Sequence, residues 1–247
     1  MLTGLLALLA TTAVLQQPPA EAHYRITLKA SRNVDRTSSG EEARGGTYAA
    51  VAFVTVTASS EGARRVGHVV VDSVTCSGTG ILSMTFDPVL GGQSRGARYD
   101  FPVGSHQEVI PTPTISNVLT NTLAQTALML FPNIEPAAAV GVTWTDSLDT
   151  SPMGDPSDKN HPITTRWRVT GKSADSTFAE GDVRGTLSST RVVSSGVVSG
   201  TRRLTVVAGA LRMQTSTTNT ETLMVPEGAT AITVGTATTT LEIVAIP

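Results

Sequence analysis

The chain is poor in cysteine, in aromatic side chains and in charge, and each shortage removes a class of protein. Its single cysteine, Cys76, cannot form an intramolecular disulfide, so the fold must rest on its own core rather than on cross-links. Aromatic residues make up 4% of the 247 positions, too few for the girdles of an outer-membrane barrel. Charged residues reach only 15%, scattered and near balance at a net charge of −2. No basic patch with interleaved aromatics stands out, so nucleic acid is not an expected partner. Past residue 22 no apolar run approaches the roughly 20 residues of a membrane-spanning helix.

The chain opens MLTGLLALLATTAVLQQPPAEA. Leu2 to Leu15 carry no charge over about the length of a secretory apolar core, and Ala20-Glu21-Ala22 supplies the small-x-small step of signal peptidase. Cleavage is expected before His23. No Lys or Arg precedes the apolar run, so the terminal amine alone gives positive charge. Pro18 and Pro19 argue against a buried helix continuing into the domain. The expectation is an exported protein, periplasmic or extracellular, with residues 1–22 as signal peptide and 23–247 as one domain. Cys76, in VVVDSVTCSGTG, reads as a small buried hydrophobe at the end of a valine-rich strand.

Thr, Ser, Val, Gly and Ala dominate, the composition of strands and turns. YRITLKA (24–30) alternates as a first strand. TYAAVAFVTVTA (47–58) and VGHVVVDSVTC (66–76) flank the polar SSEGARR and read as a hairpin with a multi-residue loop. GGQSRGAR (91–98) reads as a turn between short strands. From Gly181 onward strand-like runs recur at short intervals with Gly/Ser turns, which predicts an antiparallel meander. The period changes once, in TISNVLTNTLAQTALMLF, where Ile115, Val118, Leu119, Leu123, Ala127, Leu128 and Leu130 approach helical spacing. Thr114 or Ser116 is the expected cap of this helix, and Pro132 follows its end. The expected fold class is mainly β, a β-rich α+β domain: a curved antiparallel sheet or half-barrel with this one central helix on its concave face. A polar mobile loop is expected near 146–162.

Apparent chemical motifs weaken on inspection. Gly92-Gln93-Ser94-Arg95-Gly96 matches G-x-S-x-G, yet the nucleophile elbow needs a strand before it and a helix directly after. ARYDFPVGS follows instead, so a serine hydrolase through Ser94 is disfavoured against a plain turn. Thr170-Gly171-Lys172-Ser173 would need a further glycine where Arg166 stands to be a phosphate-binding loop. Asp146, Asp149, Asp155, Asp158 and His161 gather in one stretch, but their spacing matches no calcium loop, and a solvated loop is favoured. His23, His68, His106 and His161 show no metal-ligand spacing. No catalytic, metal or cofactor set is expected.

FPNIEPAAAVGVTWTDSLD (131–149) concentrates prolines, small residues and one of two tryptophans. Pro132 and Pro136 stop the helix, Gly141 permits a turn, and Trp144 opens a strand on the same side as Val142. The stretch reads as a helix-to-strand joint whose indole plugs the end of the core. Leu130-Phe131-Pro132 followed by Val140-Gly141-Val142-Thr143-Trp144-Thr145 resembles a pattern in a group of uncharacterised bacterial secreted proteins, with Val142 where those carry an acidic residue. The arrangement of β half, helix, Gly-x-x-Trp strand and meander is also similar to periplasmic carriers of lipoproteins and lipids. That resemblance implies a half-barrel whose concave face, covered by helices, holds acyl chains.

The expected function is therefore non-enzymatic binding of a lipid or other apolar ligand, with Leu119, Leu123, Leu128, Trp144 and Trp167 lining a groove beneath the helix. The alternative is an envelope or surface interaction module without a cavity, using an exposed strand edge or flat patch.

Overall fold

A computed structural model describes residues 21–36, 42–62, 64–134, 138–149, 162–189, 193–225 and 232–247. Residues 1–20 of the expected signal peptide lie outside this set. The elements are β1 (Ala22–Asp35), β2 (Arg44–Glu61), β3 (Arg64–Gly78), a 3-10 turn (Gly80–Leu82), α1 (Pro88–Ser94), β4 (Arg98–Pro102) and β5 (Gln107–Val109). They continue as α2 (Val118–Leu128), β6 (Thr143–Asp149), β7 (Ile163–Lys172), β8 (Ser176–Ser189), β9 (Val193–Val207), β10 (Ala210–Val225) and β11 (Thr233–Ile246).

The strands form one curved, open sheet of eleven in the order β4-β3-β2-β1-β11-β10-β9-β8-β7-β6-β5. The expected mainly-β, half-barrel class is what the chain adopts. Two meanders, β1–β4 and β6–β11, meet where β1 pairs with β11, placing Ile26 opposite Ile243 and Leu28 opposite Leu241. All pairings are antiparallel except β5 with β6. Register shifts at Phe53/Val54, Val169/Gly171 and Leu211/Met213 mark bulges, which increase twist and help the sheet bend. The β2–β3 hairpin is tighter than expected. Glu61 pairs with Arg64, leaving two residues between the strands, and Gly62 takes a φ of 62°, which a side chain would resist.

Alternation assigns the faces. In β1, Tyr24, Ile26, Leu28 and Ala30 are buried while Arg25 and Lys29 are exposed. Buried residues of β1–β4 and β6–β11 make one core with Leu119, Leu123, Ala124, Ala127 and Leu128 of α2. Burying each such leucine is worth about 1.5–3 kcal/mol against leaving it in water. Tyr99 on β4 fixes the helix from below, its hydroxyl donating to the Thr120 carbonyl at 2.8 Å.

The helix is shorter than the periodic stretch, and its cap is neither Thr114 nor Ser116. Asn117 accepts from the N–H groups of Leu119 (3.0 Å) and Thr120 (2.9 Å), while Thr120 Oγ1 accepts from the Asn117 N–H at 2.9 Å, a reciprocal box. Thr114 Oγ1 instead accepts from the Arg98 N–H. After Leu128 the chain tightens into a last turn, with Leu130 and Phe131 N–H groups donating to Ala127 and Leu128 carbonyls, and Pro132 prevents continuation. Leu130 is core, and Phe131 meets Phe101 edge-on at 5.5 Å.

A second helix corrects the turn expected at 91–98. Asp87 caps α1 through Val89 N–H at 2.7 Å and Pro88 sits in its first turn. Gly91, expected as a turn former, is a packing residue: a Cβ there would lie 2.4 Å from the Val74 carbonyl oxygen of β3. The expected loop near 146–162 also begins later than anticipated, because 146–149 belong to β6; residues 150–161 lie outside the described set.

Candidate functional site

The concave face has two unlike halves. Toward one end of the strands its positions carry large apolar groups, such as Val54, Val69, Val71, Leu204, Val206 and Ile243, packed into the core under α2. Toward the other end the same alternation delivers short hydroxyl-bearing residues: Ser216, Thr218 and Thr220 on β10, and Thr239 on β11. Side chains this short cannot reach the helix above them. The result is a cleft of about 390 Å³ between α2 and the sheet.

Thr122, Gln125, Thr126 and Met129 of α2 form its roof. Leu28, Tyr48 and Leu241 wall one side, and Leu148, Ile163, Val183 and Val198 the other, over a floor of Ser216, Thr218, Thr220 and Thr239. Arg202 also lines the cleft. Its direction follows from alternation along β9, where Val198, Leu204 and Val206 are buried and Thr201 and Arg203 are exposed. The volume lies within the roughly 300–1,000 Å³ of small-molecule sites.

A single cross-strand line leads into this cleft. Trp144 pairs with Trp167, Trp167 with Gly181, Gly181 with Arg202, Arg202 with Ser216 and Ser216 with Leu241. The indoles stack at 5.8 Å with 13° between their planes. Trp144 is pinned further, its Nε1 donating to Asp146 at 3.2 Å, while the other oxygen of Asp146 lies 2.7 Å from His106 Nδ1.

The five residues expected to line a groove take other places. Leu119, Leu123 and Leu128 are buried in the core, and Trp144 and Trp167 form the stacked pair at β6–β7. The cleft borders the adjoining, more polar flank of α2. Gly141 has a φ of 92° and makes the expected turn, but Val140 and Val142 face solvent. Of the acidic stretch, Asp146 is engaged as described, and Asp155, Asp158 and His161 lie outside the described residues. Cys76 is buried, its Sγ donating to the Asp87 carbonyl at 3.2 Å, and burial pushes its thiol pKa up.

Two serines bear on nucleophilic chemistry. Ser94 inverts the elbow arrangement: a helix ends at it and a strand follows. It is fully buried, its Oγ donating to the Leu90 carbonyl at 2.7 Å. Ser59, which sequence reasoning passed over, lies 2.7 Å from Nε2 of His68, whose Nδ1 is 2.7 Å from Asp100. A carboxylate only accepts, so Nδ1 donates to Asp100 and Nε2 of the neutral ring accepts from Ser59. That is the order of nucleophile, base and orienting acid. The three stand on the outer face of β2, β3 and β4, with Ser59 two residues from the end of β2 and opposite Val66. The three residues form a staple across three strands.

No family model matches this chain, and no curated protein matches it.

Proposed function

We propose that the protein is an exported, non-enzymatic binding protein that holds one lipid-like amphiphile between α2 and the concave face of the sheet. The observation that carries this reading is the cleft itself, with apolar walls, a hydroxyl floor and a helical roof. A purely hydrocarbon ligand would leave the hydroxyls of Ser216, Thr218, Thr220 and Thr239 without water, at a cost for each. A ligand with an apolar chain and a polar end satisfies both kinds of surface. The small-x-small step before His23 supports export, and the resemblance to periplasmic lipid carriers supports the ligand class. Among the described residues no helix is long and apolar enough to cross a membrane. Mass spectrometry of protein purified without detergent is the test: a single bound amphiphile is expected, and recovery of empty protein that also fails to bind a fluorescent fatty-acid analogue would contradict the reading.

A second reading, a surface-contact module, draws on the outer face. There Val197, Leu223 and Val234 lie exposed near the open end of β9–β11, with Leu223 and Val234 directly paired. Recovery of a defined envelope protein by the immobilised chain, lost on Leu223→Asp, would favour it.

A further inference from the structure

The cleft holds hydroxyls that the fold leaves unused. Ser216 on the floor is 8% exposed and Thr126 on the roof 3%, yet neither hydroxyl bonds to another described residue. Buried hydroxyls are ordinarily paired, because an unpaired one costs free energy. Thr218, Thr220 and Thr239 line the same cleft, and their hydroxyls are likewise unpaired among the described residues. Two neighbouring threonines outside it are engaged: Thr222 Oγ1 donates to the Gly235 carbonyl at 3.3 Å and Thr238 Oγ1 to Asn219 at 2.9 Å. Ser216, Thr218 and Thr220 alternate along β10, so their hydroxyls share a face at steps of about 7 Å. Thr239 on β11 stands opposite Thr218, about 5 Å to the side. One ligand hydroxyl could satisfy only one of these groups, whereas several on one head could satisfy the set. Charge in the head is disfavoured. Arg202, the one cation lining the cleft among the described residues, is already engaged within the protein. A carboxylate or phosphate drawn from water would find no free counter-charge there, which costs more than burying a hydroxyl.

We infer that the cleft recognises a neutral, polyhydroxylated head, a sugar or glycerol, carried on a single apolar chain. This rests on the proposed amphiphile reading and narrows it. Each hydroxyl of the cleft both donates and accepts, as does each hydroxyl of such a head, so the two sets pair in either sense. The head lies between Thr126 and the floor of Ser216, Thr218 and Thr239, and the chain runs along Leu148, Ile163 and Val183.

The test is calorimetric titration of the full chain with dodecyl glucoside, 1-dodecanoylglycerol, dodecanoate and 1-dodecanol, each below its aggregation limit. At least one polyol should bind about tenfold or more tighter than dodecanoate and dodecanol, both of which still bind through their chains. The tighter of the two polyols identifies the head as sugar or glycerol. The double variant Thr218→Val with Thr239→Val keeps the branched shapes and removes two opposed hydroxyls. It should lose the polyol preference and bind dodecanol no more weakly. Equal binding of all four, tightest binding of dodecanoate, or a polyol preference unchanged in the double variant overturns recognition of the head while leaving the cleft as a lipid site. Absence of saturable binding by any of them overturns both readings. If the double variant fails to fold, the wild-type ranking, with Thr239→Val alone, still decides.

Discussion

Trp167 lies across the bare backbone of Gly181 on the neighbouring strand. A Cβ on Gly181 would come within 2.8 Å of Trp167 Cε3 and 2.9 Å of Cδ2. The missing side chain is therefore what allows one indole to lie flat and carry the second, Trp144, stacked upon it. Gly181→Ala should displace Trp167, disturb the pair and cost about 1–3 kcal/mol as overpacking. Urea unfolding measures the loss, and a shifted tryptophan emission maximum in the folded variant reports the displaced ring.

Tyr99 ties an edge strand to the helical roof through its bond to the Thr120 carbonyl. Tyr99→Phe keeps the buried ring and removes only the hydroxyl. A loss of about 1 kcal/mol is expected from denaturant unfolding, with ligand binding little changed because the phenol lies in the core rather than in the cleft.

The same phenol makes the fold sensitive to alkali. Burial raises the pKa of Tyr99 well above the ordinary tyrosine range, and raises those of Tyr24 and Tyr48 as well. The folded chain thus holds these protons more tightly than the unfolded chain, whose tyrosines titrate near about 10. Their contribution to stability is complete below that pH and is lost as pH rises through the higher folded values. Unfolding free energy should fall above pH of about 10, and phenolate absorbance should appear together with loss of the far-ultraviolet β signal. Tyrosine ionisation in the intact fold near its ordinary pKa would contradict the burial described.

Asn117 sets where the roof begins and also reaches α1, its Nδ2 donating to Ser94 Oγ at 3.1 Å. Asn117→Ala should cost about 1–2 kcal/mol, because two amide donors at the start of α2 lose their acceptor and a buried hydroxyl loses a partner. Thermal unfolding measures it. Asn117→Asp should recover most of the loss, since its carboxylate still accepts from Leu119 and Thr120.

Much of this architecture was legible in the chain. Strict alternation in β1 and β2 exposes their faces, and the change of period at Val118–Leu128 marks α2. The pairing of β1 with β11 was not legible, because nothing local in either strand names a partner some two hundred residues away. The helix α1 carried a start signal in Asp87-Pro88, masked by Gly91-Gly92, which look like a turn, although Gly91 in fact permits close packing on β3. The cleft was not legible for a related reason. Periodicity shows that Leu119, Leu123 and Leu128 face inward, and such residues fill space instead of lining it. The open space lies over residues that lack bulk, Ser216, Thr218, Thr220 and Thr239, and an alternation pattern scored on apolar groups passes over them. One signal could have found it. Val198, Gly200, Arg202, Leu204 and Val206 share a face of β9, which puts an arginine inside.

The most direct measurement of the central claim is a titration of a fluorescent fatty-acid analogue into the wild-type chain and into Gln125→Trp. Gln125 is an exposed residue of α2 at the cleft, so an indole there narrows the cleft without entering the core. Saturable one-to-one binding by the wild type, weakened about tenfold or more in a Gln125→Trp protein of unchanged thermal stability, is the predicted result. Saturable binding of equal strength in both proteins would place the ligand elsewhere and contradict the account.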